Sequence, residues 1–137
     1  MSKQSKGFTL IELIVVLVLL GLIAAVAVPK YLDMTSKARE NSLKANLSAI
    51  RGAIELSYSQ SVLQNSPSPG AYPATVAALA SVIKGGVIPS DVFTPTNDVK
   101  IVTGNIVDPG SFNDNGGWIY STTTGEIRAD LAGYHTL

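Results

Sequence analysis

The residues with the clearest chemical potential stand at the head of the chain, in Lys6-Gly7-Phe8-Thr9-Leu10-Ile11-Glu12. A short basic leader meets a long apolar run there, and one acid is set inside the run. From Phe8 to Val28 there are twenty-one residues, and Glu12 is the only charged one. At ~1.5 Å per residue a helix of that length reaches ~31 Å, which matches the ~30 Å hydrocarbon core of a bilayer. Leu, Ile and Val dominate, and the run lacks the polar face that a soluble helix keeps. The pattern predicts a membrane-spanning helix. An acid inside such a span opposes insertion, which makes Glu12 a candidate for function. Its chemistry is that of an anion in apolar surroundings, in need of a cation.

A secretory signal peptide is the ordinary alternative for an apolar N-terminus. Such peptides carry ~7–15 apolar residues before a small-x-small cleavage site. Ala25-Val26-Ala27 has that form. The length of the run and the acid at Glu12 weigh against it.

Gly7-Phe8-Thr9-Leu10-Ile11-Glu12, behind a leader carrying Lys3 and Lys6, resembles the N-terminal processing motif of type IV pilins and type II secretion pseudopilins. The motif is a small residue, an aromatic, an acid at the fifth place after the cut, and an unbroken apolar run. Every position matches, and the close match covers about residues 1–30. The resemblance implies that a membrane prepilin peptidase cuts between Gly7 and Phe8 and methylates the new amine of Phe8. It implies a partner set as well: copies of the same chain in a helical filament, an inner-membrane assembly platform with its ATPase, and membrane lipid before assembly.

The residues suit those roles. Gly7 lets a protease hold the backbone extended at little steric cost. Lys3 and Lys6 keep the leader cytoplasmic by the positive-inside rule. After the cut Phe8 carries a cationic amine one turn from Glu12. In a core of packed apolar helices a lone carboxylate and a lone amine are both costly, and pairing Glu12 of one subunit with the Phe8 amine of a neighbour removes both penalties. Such a pair would also fix axial register. The simpler alternative is that Glu12 snorkels, or bonds its own helix N-terminus.

With 137 residues there is room for one modest domain beside the membrane helix. The ten basic and ten acidic residues cancel, and removal of residues 1–7 takes away Lys3 and Lys6, leaving eight against ten. No basic balance points to nucleic acid. Cysteine is absent, which excludes disulfides, thiolate metal sites and a thiol nucleophile. No Ser-His-Asp grouping, P-loop or Gly-x-Gly-x-x-Gly is evident, so neither an enzyme nor a cofactor is expected.

Gly21 and Pro29 interrupt the apolar helix, and Pro29 predicts a kink because its ring crowds the carbonyl of Ala25. From Lys30 to about Leu63 the pattern becomes amphipathic. Leu43, Leu47, Ile50 and Ile54 share one helical face, extended by Tyr58, while Glu40 and Lys44 pair at i,i+4 on another. A helix over 8–63 would reach ~84 Å and could not bury itself within so small a chain. Ser66-Pro67-Ser68-Pro69-Gly70 ends it. Pro73 to Lys84 reads as a short helix stopped by Gly85-Gly86, and Val87 to Asp98 reads as a loop broken by Pro89 and Pro95, a segment that in the resembling family forms an exposed or contact surface. Strands are expected at Val99–Val102, Trp118–Tyr120 and Glu126–Arg128, with Asn105–Val107 a possible continuation and Thr122-Thr123-Thr124-Gly125 a hairpin turn.

The expected fold is α+β and pilin-like: a long N-terminal helix, transmembrane in its first half and kinked at Pro29, packed on a small C-terminal antiparallel sheet. Residues 1–7 form a cleaved leader, 8–29 the transmembrane and assembly helix, and 30–137 a periplasmic or extracellular globular domain. Asp108, Asn113, Asp114 and Asn115 are candidate oxygen ligands for calcium. They lack the EF-hand spacing, and a turn using short polar side chains for local hydrogen bonds is the preferred reading, so no metal is expected. His135 is expected to have no site role.

The functional expectation is a structural subunit of a type IV pilus-like filament. It would start in the bacterial inner membrane as a single-pass protein with a cytoplasmic N-terminus. The missing cysteines and compact sheet lean towards a type II secretion pseudopilin. A type IV pilus pilin for adhesion, motility or DNA uptake is the alternative within the family. A membrane-anchored or secreted binding domain that never polymerises is the alternative outside it.

Overall fold

The computed structural model describes residues 7–64, 70–107 and 110–137. Lys3 and Lys6, the turn residues Ser66 to Pro69, and Asp108 lie outside the described residues. The chain divides into two compact units, the first reaching to Ala38 and the second Arg39–Leu137.

Helix α1, Leu10–Gln64, contributes to both units. It passes through Gly21 and Pro29 without interruption. In the first unit every residue from Gly7 to Met34 is exposed, including the whole Leu, Ile and Val run. By length and composition this helix can cross a membrane. Among the described residues, nothing else in that unit covers its apolar surface. This is the expected consequence of a helix that is apolar all round, which needs lipid or other helices as its surroundings.

The second unit shows how α1 changes character. Leu43, Leu47, Ile50 and Ile54 are each 1% exposed or less. They form one core with Leu79, Ile88, Trp118, Tyr120, Ile127 and Ala129. Glu40 and Lys44 make the expected pair at 2.5 Å on the solvent side. Exposed pairs of this kind contribute a few tenths of a kcal/mol, so the apolar stripe is what holds this part of the helix in place.

Helix α2, Val76–Val82, is shorter than the Pro73–Lys84 span expected. Thr75 is its N-cap and accepts from the Ala78 N–H at 3.1 Å, so Pro73 lies ahead of the helix rather than in its first turn. Ile83 turns to an extended conformation and ends it before Gly85 and Gly86.

Three strands follow: β1 Val99–Val102, β2 Trp118–Ser121 and β3 Ile127–Ala129, in the order β1-β2-β3. The β2–β3 pair is the expected antiparallel hairpin, with Tyr120 opposite Ile127 and Gly125 at positive φ in the turn. The β1–β2 pair is parallel, with Val99 opposite Trp118 and Val102 opposite Ser121. The sheet is therefore mixed, not antiparallel throughout. The connection over 103–117 is long enough to return the chain to the end of β1 from which it set out, and that return makes a parallel pair possible. Asn105–Val107 forms no strand and belongs to this connection.

Both faces of β2 are buried. Trp118 and Tyr120 join the core with α1, whereas Ile119 and Ser121 face the other way. The Ser121 hydroxyl donates to the Gly104 carbonyl at 2.5 Å, and Ile106 is buried too, so the connection covers the second face. The segment 87–98 is a loop, as expected, and it is partly built into the core. Ile88 and Asp91 are buried. Asp91 accepts from the N–H groups of Phe93 at 2.7 Å and Thr94 at 3.1 Å, and from the Thr94 hydroxyl. The Trp118 indole donates to the Pro89 carbonyl at 2.7 Å, fastening the segment to the sheet.

Candidate functional site

The head of α1 is built by two side chains that answer each other. The Thr9 N–H donates to Glu12 Oε2 at 2.9 Å, and the Thr9 hydroxyl donates to the same oxygen at 2.8 Å. In return the Glu12 N–H donates to Thr9 Oγ1 at 3.3 Å, while the Thr9 carbonyl accepts from the Leu13 N–H. This is a capping box, in which two backbone donors that a helix start leaves bare are satisfied reciprocally. The carboxylate also lies where the helix dipole favours negative charge. The isolated chain thus realises the simpler role considered for Glu12, a bond to its own helix N-terminus. Thr9 was not singled out in the sequence, although Thr-x-x-Glu ahead of an apolar run is a signature of this motif.

Around that carboxylate the surface is apolar. Phe8, Ile11, Val15 and Val16 line a shallow hollow with Glu12. Phe8 is 78% exposed. Gly7 is exposed as well, and a Cβ added to it would meet nothing within 4 Å. The same holds for Gly21. The folded subunit makes no demand for glycine at either place. The arrangement offers an anion on a greasy surface and, next to it, an open backbone at Gly7-Phe8.

The C-terminal loop gathers different residues from those expected. Asn113 and Asn115 are exposed, and the Asn113 side-chain Oδ1 accepts from the Asn115 N–H in a local turn. Asp114, with φ of 56°, instead sets Oδ1 2.6 Å from His135 Nε2. His135 stacks on Phe112 with ring centroids 3.9 Å apart, and it is more enclosed than its place near the chain end suggests. Asp130 lies beside them, buried, and its Oδ1 accepts from the N–H groups of Asn113 and Asp114.

A tyrosine group closes the far end of the core. Tyr58 and Tyr72 stack at 4.5 Å. Burial, with Glu55 and Tyr58 nearby, raises the Tyr72 phenol above its usual range. Tyr120 is fully buried, and its hydroxyl has no hydrogen-bond partner among the described residues. Burial first, then the neighbouring Tyr72, push it up to about 12.

A family profile described as the prokaryotic N-terminal methylation motif matches residues 2–28. A type IV narrow pilus major component of Thermus thermophilus is 44% identical over 50 residues, 36% of this chain and 43% of the relative. The type II secretion system core protein G of Pseudomonas aeruginosa is 37% identical over 82 residues, 60% of this chain and 52% of the relative. The fimbrial protein EcpC of Eikenella corrodens is 30% identical over 113 residues, covering 80% of this chain and 69% of the relative. The chain belongs to the type IV pilin and pseudopilin family. These relatives are structural components of pili and secretion systems, not enzymes. Against the Thermus and Pseudomonas proteins the chain spans about half of the relative's length or less. No solved structure matches the chain significantly.

Proposed function

We propose that this chain is a structural subunit of a type IV pilus-like filament, held in the bacterial inner membrane by its first helix and polymerised through it. One observation carries the reading: an uncovered apolar helix whose head presents Gly7-Phe8 and, one turn on, the carboxylate of Glu12. Prepilin peptidase would cut between Gly7 and Phe8 and methylate Phe8. Extraction by a platform and its ATPase would then exchange lipid for neighbouring helices around α1, at little cost in apolar burial.

Glu12 supplies what that exchange lacks, a directional contact. In the single chain its carboxylate is held by Thr9. In the filament the Phe8 amine of a neighbour would take it up and set axial register. Gly21 and Pro29 are the places where α1 would bend or unwind on assembly. Pro29 leaves the Ala25 carbonyl without its helical donor, and Gly21 is a poor helix former.

Within the family the lack of cysteine and the three-stranded sheet favour a type II secretion pseudopilin. The long alignment with a fimbrial protein keeps a pilus pilin as the second reading. Deletion of the coding sequence separates them. Loss of protein secretion with surface fibres intact supports the pseudopilin. Loss of surface fibres with secretion intact supports the pilin, and loss of neither removes the filament role.

A further inference from the structure

We propose that the free edge of β1 pairs antiparallel with the same edge of a second copy of this chain. In the order β1-β2-β3, β1 has a neighbouring strand on one side only. The carbonyls of Asp98 and Val102 accept from the N–H groups of Trp118 and Thr122, so the backbone groups of the even-numbered residues face β2. Those of Val99 and Ile101 point the other way, off the sheet. Asn97, Asp98, Lys100 and Ile101 are all exposed, which leaves the edge open to solvent. A strand edge of this kind is a template for another strand.

Charge selects the occupant and the register. Asp98 and Lys100 stand two residues apart, so both side chains leave the strand on one face. Among the described residues neither is in an ion pair. The Lys100 ammonium donates one hydrogen to the Ser111 carbonyl at 2.6 Å and keeps two for other acceptors. A lone lysine blunts a sheet edge, but this edge carries the lysine's complement as well. When two β1 strands lie antiparallel with Val99 opposite Val99, each Asp98 stands opposite the other copy's Lys100. Two cross-strand charge pairs form, and the two Val99 residues exchange their backbone hydrogen bonds. Sliding one strand by two residues sets Lys100 opposite Lys100, which is unfavourable. The contact is isologous and closes as a dimer, so it is separate from any packing of α1 and does not rest on the filament reading.

The chain has no cysteine, so an introduced thiol reports alone. The full chain in detergent micelles carrying Val99→Cys should form a disulfide-linked dimer on mild oxidation. A hydrogen-bonded antiparallel pair holds its Cα atoms ~5.5 Å apart, within disulfide reach. Ile101→Cys alone should not link, since this register sets the two copies of that residue four positions apart, ~13 Å. Chains with Asn97→Cys mixed with chains carrying Ile101→Cys, both changed at exposed positions, should link to each other. Adding Asp98→Lys or Lys100→Asp should lower the Val99→Cys yield about fivefold or more, and the two reversals together should restore it. Circular dichroism checks that each variant is folded. Any of three results would overturn the proposal: no link in either the Val99→Cys chain or the mixed pair, a link through Ile101→Cys alone as strong as through Val99→Cys, or a yield that the single reversals leave unchanged or the double reversal fails to restore.

Discussion

Glu12 is given two partners by this account, one in the single chain and one in the assembly. Its bonds to Thr9 satisfy the helix start before assembly, so the carboxylate enters the bilayer already hydrogen-bonded. Glu12→Ala should therefore leave membrane insertion intact or improved and abolish filament formation, read by membrane fractionation and electron microscopy. Normal filaments from that variant would remove the register role. Thr9→Val should loosen the first turn yet keep assembly, because the proposed register contact needs only the Glu12 charge, which remains. In the second unit, Tyr120 buries a hydroxyl that bonds to nothing among the described residues. Tyr120→Phe should be as stable as the parent or more so, by up to about 1 kcal/mol in chemical unfolding. The pH dependence follows from the raised phenol. The unfolded chain loses this proton near pH 10 and the folded chain only at about 12. The unfolded state thus binds fewer protons across that window. The stability conferred by neutral Tyr120 is complete below pH 10 and declines as pH rises to 12, by about 2 kcal/mol. Tyr120→Phe should lack that part of the alkaline decline.

At the scale of elements, α1 does two jobs with one backbone, and the distribution of its apolar residues separates them. The stripe Leu43, Leu47, Ile50 and Ile54 was legible in the sequence because steps of three and four leave no other face for it. Leu47→Ala should cost the soluble part ~2–5 kcal/mol, measured by denaturant unfolding. The hairpin Thr122–Gly125 was legible for a similar local reason: its turn needs positive φ, and glycine stands there. The parallel pairing of β1 with β2 was not legible, since register across a long connection depends on contacts distant in sequence. Gly117 marks that pairing in hindsight. A Cβ there would lie 2.4 Å from the Asp98 carbonyl oxygen, and its φ is +80°. Gly117→Ala should destabilise by roughly 2–4 kcal/mol, combining the left-handed backbone penalty with the clash. The burial of the 87–98 segment was missed for a related reason. Asp91 reads as a loop acid until its backbone donors at Phe93 and Thr94 are seen.

For the whole molecule, the second unit has its own core, and among the described residues the first has none. The apolar residues from Phe8 to Val28 are uncovered, and burying them requires lipid or other helices. That demand, visible from composition alone, is what leads from fold to function. Gly7, Phe8 and Glu12 could be singled out from the sequence because the chemistry proposed for them is local and depends on fixed spacing. The grouping of Asp114 with Asp130 and His135 was hidden, because the three are brought together only by the folded loop and tail. The central claim is that the chain is cut at Gly7-Phe8 and matured for assembly, and the intact mass of the protein recovered from membranes tests it most directly. The account predicts loss of Met1–Gly7 and a gain of ~14 Da for one methyl group, placed on Phe8 by fragmentation. A mass that retains Met1–Gly7, or one that begins near Val28, would contradict it.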